Sequence, residues 1–150
     1  MKNIKTKYAL EEFISKRLSE LKGRVIFFFG DKDIFSFSDL DGIIDGTLFF
    51  ALKNAEWINR VPDQIPREKL LFYRDPDFID RAKNLTGEKG FENVIVLDSD
   101  PETIKSALGV AGILGAIYLL SPPSGPVTVD LHNTIHYKSL RVIGHQFSDY

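Results

Sequence analysis

The apolar residues near the start of the chain follow first a helical pattern and then a strand pattern. Over residues 8–22 they recur at helical spacing, and Gly23 follows where a helix can end in a left-handed conformation. Residues 24–30 are a short apolar run closed by a glycine, which is typical of a strand buried on both faces of a sheet. The pattern therefore predicts an N-terminal helix followed by a central strand.

Strands and helices continue to alternate downstream. Pro76 and Pro101 each follow an aspartate, a pairing that is typical of a helix start with Asp at the cap and Pro at the first helical position. Alternating strands and helices imply a parallel sheet with crossover helices. The elements predicted here are strands over 70–74, 93–97 and 116–120, with a turn at Gly112 and Gly115 before the last, and helices over 76–85 and 101–109.

A long apolar segment after the first strand predicts a helix over 38–58, with Ser38 as its cap. Its apolar residues lie on almost every side, so a second surface should cover it besides the sheet. Gly42 and Gly46 are four residues apart and share one helical face, which would let the helix approach the first strand closely.

The end of the chain contributes two more strand candidates, over 127–131 and 140–144. The second is expected at the sheet edge. Because it exposes Val142 and Ile143 and contains no proline, it should be covered by pairing. A closed two-fold contact would satisfy this edge, so a homodimer is expected.

Composition narrows the class of protein. The chain has 150 residues, of which 43% are hydrophobic, so one domain over 1–150 is expected. It contains no cysteine, which excludes disulfides and thiolate zinc sites. The net charge of −2 and the absence of clustered basic residues beyond the N-terminus argue against a nucleic-acid partner. No run is apolar enough to cross a membrane, and we expect a cytoplasmic protein.

The segment from 91 to 146 resembles the second half of the cofactor domain of the medium-chain alcohol and polyol dehydrogenases. The resemblance rests on three motifs: PET at 101–103, PSGPV at 123–127 and LRVIG at 140–144. It covers about the second half of the chain well and the first half poorly. The resemblance implies a three-layer α/β Rossmann-like domain with a mainly parallel sheet of five or six strands, which would occupy 24–146.

The turn after the first strand departs from the family pattern. The resemblance implies a GxGxxG turn there, in which glycines allow the backbone to approach a pyrophosphate. Only Gly30 matches this pattern, since Lys32 and Phe35 stand at the second and third glycine positions, and Asp31 and Asp33 add negative charge. Either Lys32 contacts a phosphate, or this segment is a solvated turn.

The resemblance also implies contacts from the later strands. Ser99 and Ser121 stand where the family has glycines near the nicotinamide and its ribose, and Ser124 lies in the PPSGP loop. Asp75 is one possible match to the acidic residue that ends the second strand and binds the ribose hydroxyls, but a helix cap at Asp75 is the favoured interpretation. The candidate cofactor-binding residues are Gly30, Lys32, Asp75, Ser99, Ser121 and Ser124.

Other chemistry has less support in the sequence. His132 and His136 are four residues apart, near Asp130 and with His145 further on, but no ligand pair has a convincing third and fourth partner, so no metal site is expected. The chain contains no Gly-x-Ser-x-Gly motif, and Ser124 lies in a proline-bounded loop, so a serine hydrolase is not indicated. No catalytic residue is assigned.

Three kinds of function remain open. The chain could be a non-catalytic relative of the alcohol dehydrogenases that acts as a homo-oligomer or a subunit. It could be a module that binds NAD(P) or another nucleotide. It could also be the cofactor half of a split oxidoreductase, because only about two dozen residues precede the first strand and a separate catalytic subunit would be needed. The first is favoured, so the isolated chain is expected neither to be an enzyme nor to carry a cofactor.

Overall fold

The computed structural model describes residues 10–30, 48–63 and 65–144 of the chain. Six strands form one sheet, and helices cover it. The strands are β1 (Val25–Phe29), β2 (Leu48–Leu52), β3 (Leu70–Phe72), β4 (Phe91–Val96), β5 (Ala111–Leu119) and β6 (Arg141–Gly144). The α-helices are α1 (10–16), α2 (Phe78–Leu85) and α3 (Pro101–Val110), and shorter helical turns cover Leu18–Glu20, Ala55–Arg60, Arg67–Lys69 and Leu131–His136.

The six strands lie in the order β3-β2-β1-β4-β5-β6, and each neighbouring pair is parallel. Every residue of β1 is buried, as expected for a strand covered on both faces. The predicted α/β fold with a parallel sheet, the central position of the first strand and the edge position of the last strand are therefore confirmed.

Aromatic side chains fill the core on both faces of the sheet. Alternate residues of a strand point to opposite faces, so Phe27 and Phe28 belong to different halves of the core. The Phe27 and Phe50 rings stack on one face with centroids 5.7 Å apart, and Phe13 of α1 meets Tyr118 on the same face at 5.1 Å. On the other face, α2 and α3 cover the sheet. The domain therefore has three layers.

The helix predicted over 38–58 is wrong in its second half. Residues 48–52 form β2, which is buried throughout and lies between β1 and β3. A short run such as LFFAL fits a buried strand as well as a buried helix, and periodicity alone does not separate the two. The first half of that prediction, with Ser38, Gly42 and Gly46, lies outside the described residues.

Four smaller expectations also differ from the structure. The segment 127–131 is not a strand, because it runs irregularly into the helical turn Leu131–His136. The turn predicted at Gly112 and Gly115 lies within β5, where the register against β4 shifts and Leu114 takes a φ of 64°. The helix predicted from residue 76 begins at Phe78. Gly23 has a positive φ of 93°, but it does not end the helix, because α1 ends at residue 16 and Leu21 caps the helical turn Leu18–Glu20.

Candidate functional site

The direction of strand order changes between β1 and β4, at the centre of the sheet. In open parallel sheets, ligands bind in the crevice outside the carboxyl ends of the strands at such a switch point. Gly30 follows β1 at this edge, Asp98 and Ser99 follow β4, and Ser121 follows β5. The structure therefore brings several of the predicted site residues to one place.

The side chain of Asp98 fills the space next to Gly30. A β carbon added at Gly30 would lie 2.6 Å from Cβ and 2.7 Å from Cγ of Asp98, and it would also meet the carboxylate oxygen Oδ2. The other oxygen, Oδ1, accepts a hydrogen bond from the Asp100 backbone N–H at 3.2 Å. Gly30 is thus required for close contact with a side chain of the same chain.

Asp98 was missed in the sequence analysis. The available signal was its position directly after the apolar run 93–97, which forms the strand next to the one that ends at Gly30. A polar residue at the carboxyl end of a strand beside the switch point is a candidate site residue on topology alone.

Ser99 and Ser121 bind each other and so join the ends of β4 and β5. The Ser99 hydroxyl donates to the Ser121 carbonyl at 2.5 Å, and the Ser99 backbone N–H donates to the Ser121 hydroxyl at 3.2 Å. The Ser121 hydroxyl in turn donates to the Leu97 carbonyl at 2.8 Å. Both hydroxyls therefore form hydrogen bonds within the protein, and Ser99 is only 2% exposed.

Ser124 contacts this pair through its backbone: its N–H donates a hydrogen bond to the Ser99 carbonyl at 3.2 Å. The Ser124 residue is exposed. Lys32 lies outside the described residues. Of the predicted residues, Gly30, Ser99, Ser121 and Ser124 therefore lie near the switch point, and Asp98 lies beside Gly30.

Asp75 does not end the second strand, as its family match required. The second strand, β2, ends at Leu52 and is followed by Lys53 and Asn54. Asp75 follows β3 at the sheet edge, and its carbonyl accepts the Phe78 N–H at 3.1 Å. The match was wrong because β2 had been predicted as part of a helix, which made β3 the second strand.

Two residues at the end of β3 form hydrogen bonds with the end of β1 and the first turn of α3. The Tyr73 hydroxyl donates to the Phe29 carbonyl at 3.1 Å and accepts from the Thr103 hydroxyl at 3.2 Å. The next residue, Arg74, binds both carboxylate oxygens of Glu102, at 2.9 and 3.2 Å. This hydrogen bond from Arg74 holds the pKa of Glu102 below its usual value. The first turn of α3 is thereby fixed to the ends of β1 and β3.

A cavity of about 240 Å³ lies between α1 and the carboxyl ends of β5 and β6. Aromatic and aliphatic side chains, among them Phe13 and Leu120, form its apolar part. Lys16 and Arg17 bring positive charge to it, and Lys16 forms an ion pair with Glu12 at 3.1 Å. A small ligand with an apolar body and a negative group would suit this lining.

Comparison with known proteins supports the resemblance found in the sequence. The chain is 37% identical over 68 residues to the L-threonine 3-dehydrogenase of Bacillus velezensis, a match that covers 45% of this chain and 20% of that enzyme. No protein-family model matches.

Solved oxidoreductase structures have a similar fold. A mycobacterial protein in complex with NADPH superposes with a TM-score of 0.66 and 17% identity, over 93% of this chain and 45% of its own. The D-arabinose dehydrogenase of Sulfolobus solfataricus gives 0.65 and 12% identity, over 95% and 44%. A quinone oxidoreductase of Pseudomonas syringae gives 0.67 and 16%, over 93% and 44%.

The domain therefore has a Rossmann-like fold that is similar to part of these solved structures. Its resemblance to the cofactor domain of the medium-chain dehydrogenases is confirmed. The chain spans less than half the length of these structural relatives. Within the described residues, no helix has the length and apolar character needed to span a bilayer.

Proposed function

We propose that this chain is a medium-chain-dehydrogenase-type Rossmann domain that does not bind a dinucleotide by itself and acts as a non-catalytic subunit or homo-oligomer. One observation carries the proposal: the side chain of Asp98 packs against Gly30. Gly30 stands at the first position of the phosphate turn, where a dinucleotide needs open space beside the backbone.

The negative charge near Gly30 disfavours the binding of a diphosphate. A carboxylate about 4 Å from a phosphate charge costs about 4 kcal/mol at the effective dielectric of a protein surface. Asp98 supplies such a carboxylate beside Gly30, and Asp31 and Asp33 follow in the sequence. The proposal therefore has both a steric and an electrostatic basis.

The serines support the same conclusion. The hydroxyls of Ser99 and Ser121 already hydrogen bond within the protein, so a ligand would have to replace those bonds. Breaking a buried hydrogen bond costs about 1–3 kcal/mol when a partner is left unsatisfied.

Calorimetric titration of the full chain with NADPH, and separately with NADH, tests the proposal. We expect no saturable heat for either compound. A dissociation constant below about 100 μM, which corresponds to about 5.5 kcal/mol of binding free energy, would contradict the proposed loss of binding.

A second candidate function is NAD(P) binding, with catalysis supplied by a separate subunit. Two observations support it. The mycobacterial protein with a similar fold was solved with NADPH, and Arg17 lines the cavity between α1 and the carboxyl ends of β5 and β6. Under this candidate, Lys32 contacts a phosphate, so Lys32→Ala should weaken NADPH binding. An unchanged affinity in that variant would place the phosphate elsewhere.

We further propose that the protein is a homodimer that pairs through β6. The strand lies at the edge of the sheet, its residues are mostly exposed, and Val142 is 47% exposed. An unpaired edge presents open N–H and C=O groups to other chains, and a two-fold contact would cover them.

A further inference from the structure

Two histidine rings meet on the surface turn that precedes β6. The Nδ1 atoms of His132 and His136 are 3.2 Å apart, the ring centroids are separated by 5.3 Å, and the ring planes are inclined by 58°. Both residues are exposed. Neither belongs to the crevice between β1 and β4.

The backbone of this turn fixes the spacing of the two rings. Residues Leu131–His136 form a π-helical turn, in which the Tyr137 N–H donates to the His132 carbonyl at 2.7 Å. Such i to i+5 turns are rare and occur often at functional sites. Asp130 caps the turn, because its carboxylate accepts the Asn133 backbone N–H at 3.1 Å and the Asn133 side-chain amide at 2.8 Å.

We propose that His132 and His136 form a bidentate site for a divalent transition-metal ion of the zinc, nickel and copper class. Imidazole nitrogen is a preferred ligand for these ions, with metal–nitrogen distances of about 2.0–2.1 Å. At those distances, two nitrogens 3.2 Å apart subtend an angle of about 100° at the ion. That angle lies between the octahedral and the tetrahedral values, so the separation of the two nitrogens fits chelation of one ion.

The charged side chains next to the two histidine rings form hydrogen bonds with other groups of the protein. Asp130 is engaged by Asn133, and the ammonium of Lys138 donates to the Leu108 carbonyl at 3.1 Å, so that cation is directed to the end of α3. Within the described part of the chain, no cluster of three or more His, Cys, Asp or Glu side chains is placed to hold a metal. The remaining coordination positions therefore fall to water or to a group of a partner protein.

A hydrogen bond between two neutral imidazoles would give the same separation of the Nδ1 atoms. The two explanations differ in their response to metal. In a chelating pair, the proton between the two Nδ1 atoms moves by exchange with water to the Nε2 atom of the donor ring, and both Nδ1 atoms then bind the ion. A purely structural pair leaves the ion in solution.

NMR of the imidazole rings during titration of the full chain with ZnCl₂ tests the proposal. We expect the signals of His132 and His136 to shift together and to saturate at one ion per chain. His132→Ala and His136→Ala should each weaken zinc binding at least about tenfold, a conservative figure because loss of even an outer-shell partner costs that much.

His145→Ala is the matched control, since all three single variants retain two histidines. It should bind zinc as the unaltered chain does. Because both ring positions are exposed, thermal melting should show that the variants remain folded. The proposal is overturned if the unaltered chain shows no shift at a tenfold excess of zinc, if His132→Ala binds normally, or if His145→Ala loses binding.

Discussion

The Asp98 side chain packs against the backbone of Gly30, so close that a β carbon at position 30 would lie 2.6 Å from the Asp98 Cβ. Real β carbons do not approach other carbon atoms so closely. The glycine that follows β1 thus has a structural reason to be glycine that does not involve a cofactor. Its presence after the first strand is not evidence that a dinucleotide binds.

Replacement of Gly30 by alanine should destabilise the fold. The added methyl group would force Asp98 or the backbone to shift, at an overpacking cost of about 1–3 kcal/mol. In a domain of this size, each kcal/mol lowers the melting temperature by about 2–4 °C. Gly125→Ala is the control, because the nearest atom to its added carbon is Pro101 Cγ at 3.8 Å.

The double variant Gly30→Ala/Asp98→Gly should recover part of this loss, since it removes the side chain that the methyl group meets. Thermal melting of the two single variants and the double variant gives the coupling energy. Simple additivity of the two single effects would show that Asp98 does not cause the clash.

Ser121→Ala should also destabilise the protein, in this case by removing a hydroxyl that bridges two strand ends. The Ser99 N–H would lose its acceptor and the Leu97 carbonyl would lose a donor, at a cost of about 1–3 kcal/mol. Urea unfolding measures this cost. Ser124→Ala should stay within about 0.5 kcal/mol, because Ser124 contributes a backbone N–H to the contact. Equal effects of the two variants would argue against a structural role for the Ser121 hydroxyl.

The sequence was sufficient to predict much of this fold and less of the site. Three elements were predictable because their local sequence signal agrees with their place in the fold. They are β1, β4 and the start of α3 at Asp100–Pro101. For β2 the local signal was ambiguous, because LFFAL is apolar at every position, and only pairing with β1 and β3 decides its conformation. The contact between Asp98 and Gly30 joins residues from separate strands, so no local pattern reveals it.

The Arg74–Glu102 ion pair makes a small contribution to stability that depends on pH. Its hydrogen bond lowers the pKa of Glu102 in the folded state below the usual 4.5. The contribution is therefore fully present above that value and is lost as the pH falls through the folded pKa. Since both side chains are nearly half exposed, we expect no more than about 1 kcal/mol.

NMR titration of the Glu102 carboxyl group measures this effect. Arg74→Gln should raise the pKa of Glu102 toward 4.5, whereas Arg24→Gln, which breaks the pair with Glu92, should leave it unchanged. If Arg74→Gln leaves the Glu102 titration curve unaltered, the ion pair does not form in solution.

The proposed dimer predicts a specific mass. Light scattering of the chain at micromolar concentration should give twice the 17.0 kDa monomer mass. Val142→Asp places a charge on the exposed side of β6 and should shift the mass toward the monomer. Leu131→Asp is the control, because Leu131 is 65% exposed but lies outside the strand. A monomeric unaltered chain would end the proposal.

The Asp98 side chain fills the space beside Gly30, and we propose that it keeps a dinucleotide out of this crevice. The most direct measurement follows the backbone amide signals of Gly30 and Ser99 by NMR while the full chain is titrated with NADPH. We expect no saturable shift of either signal up to about 1 mM NADPH, a limit of about 4.1 kcal/mol in binding free energy. Saturable shifts of both amides at micromolar NADPH would contradict it, because they would show that the cofactor enters the space that Asp98 fills.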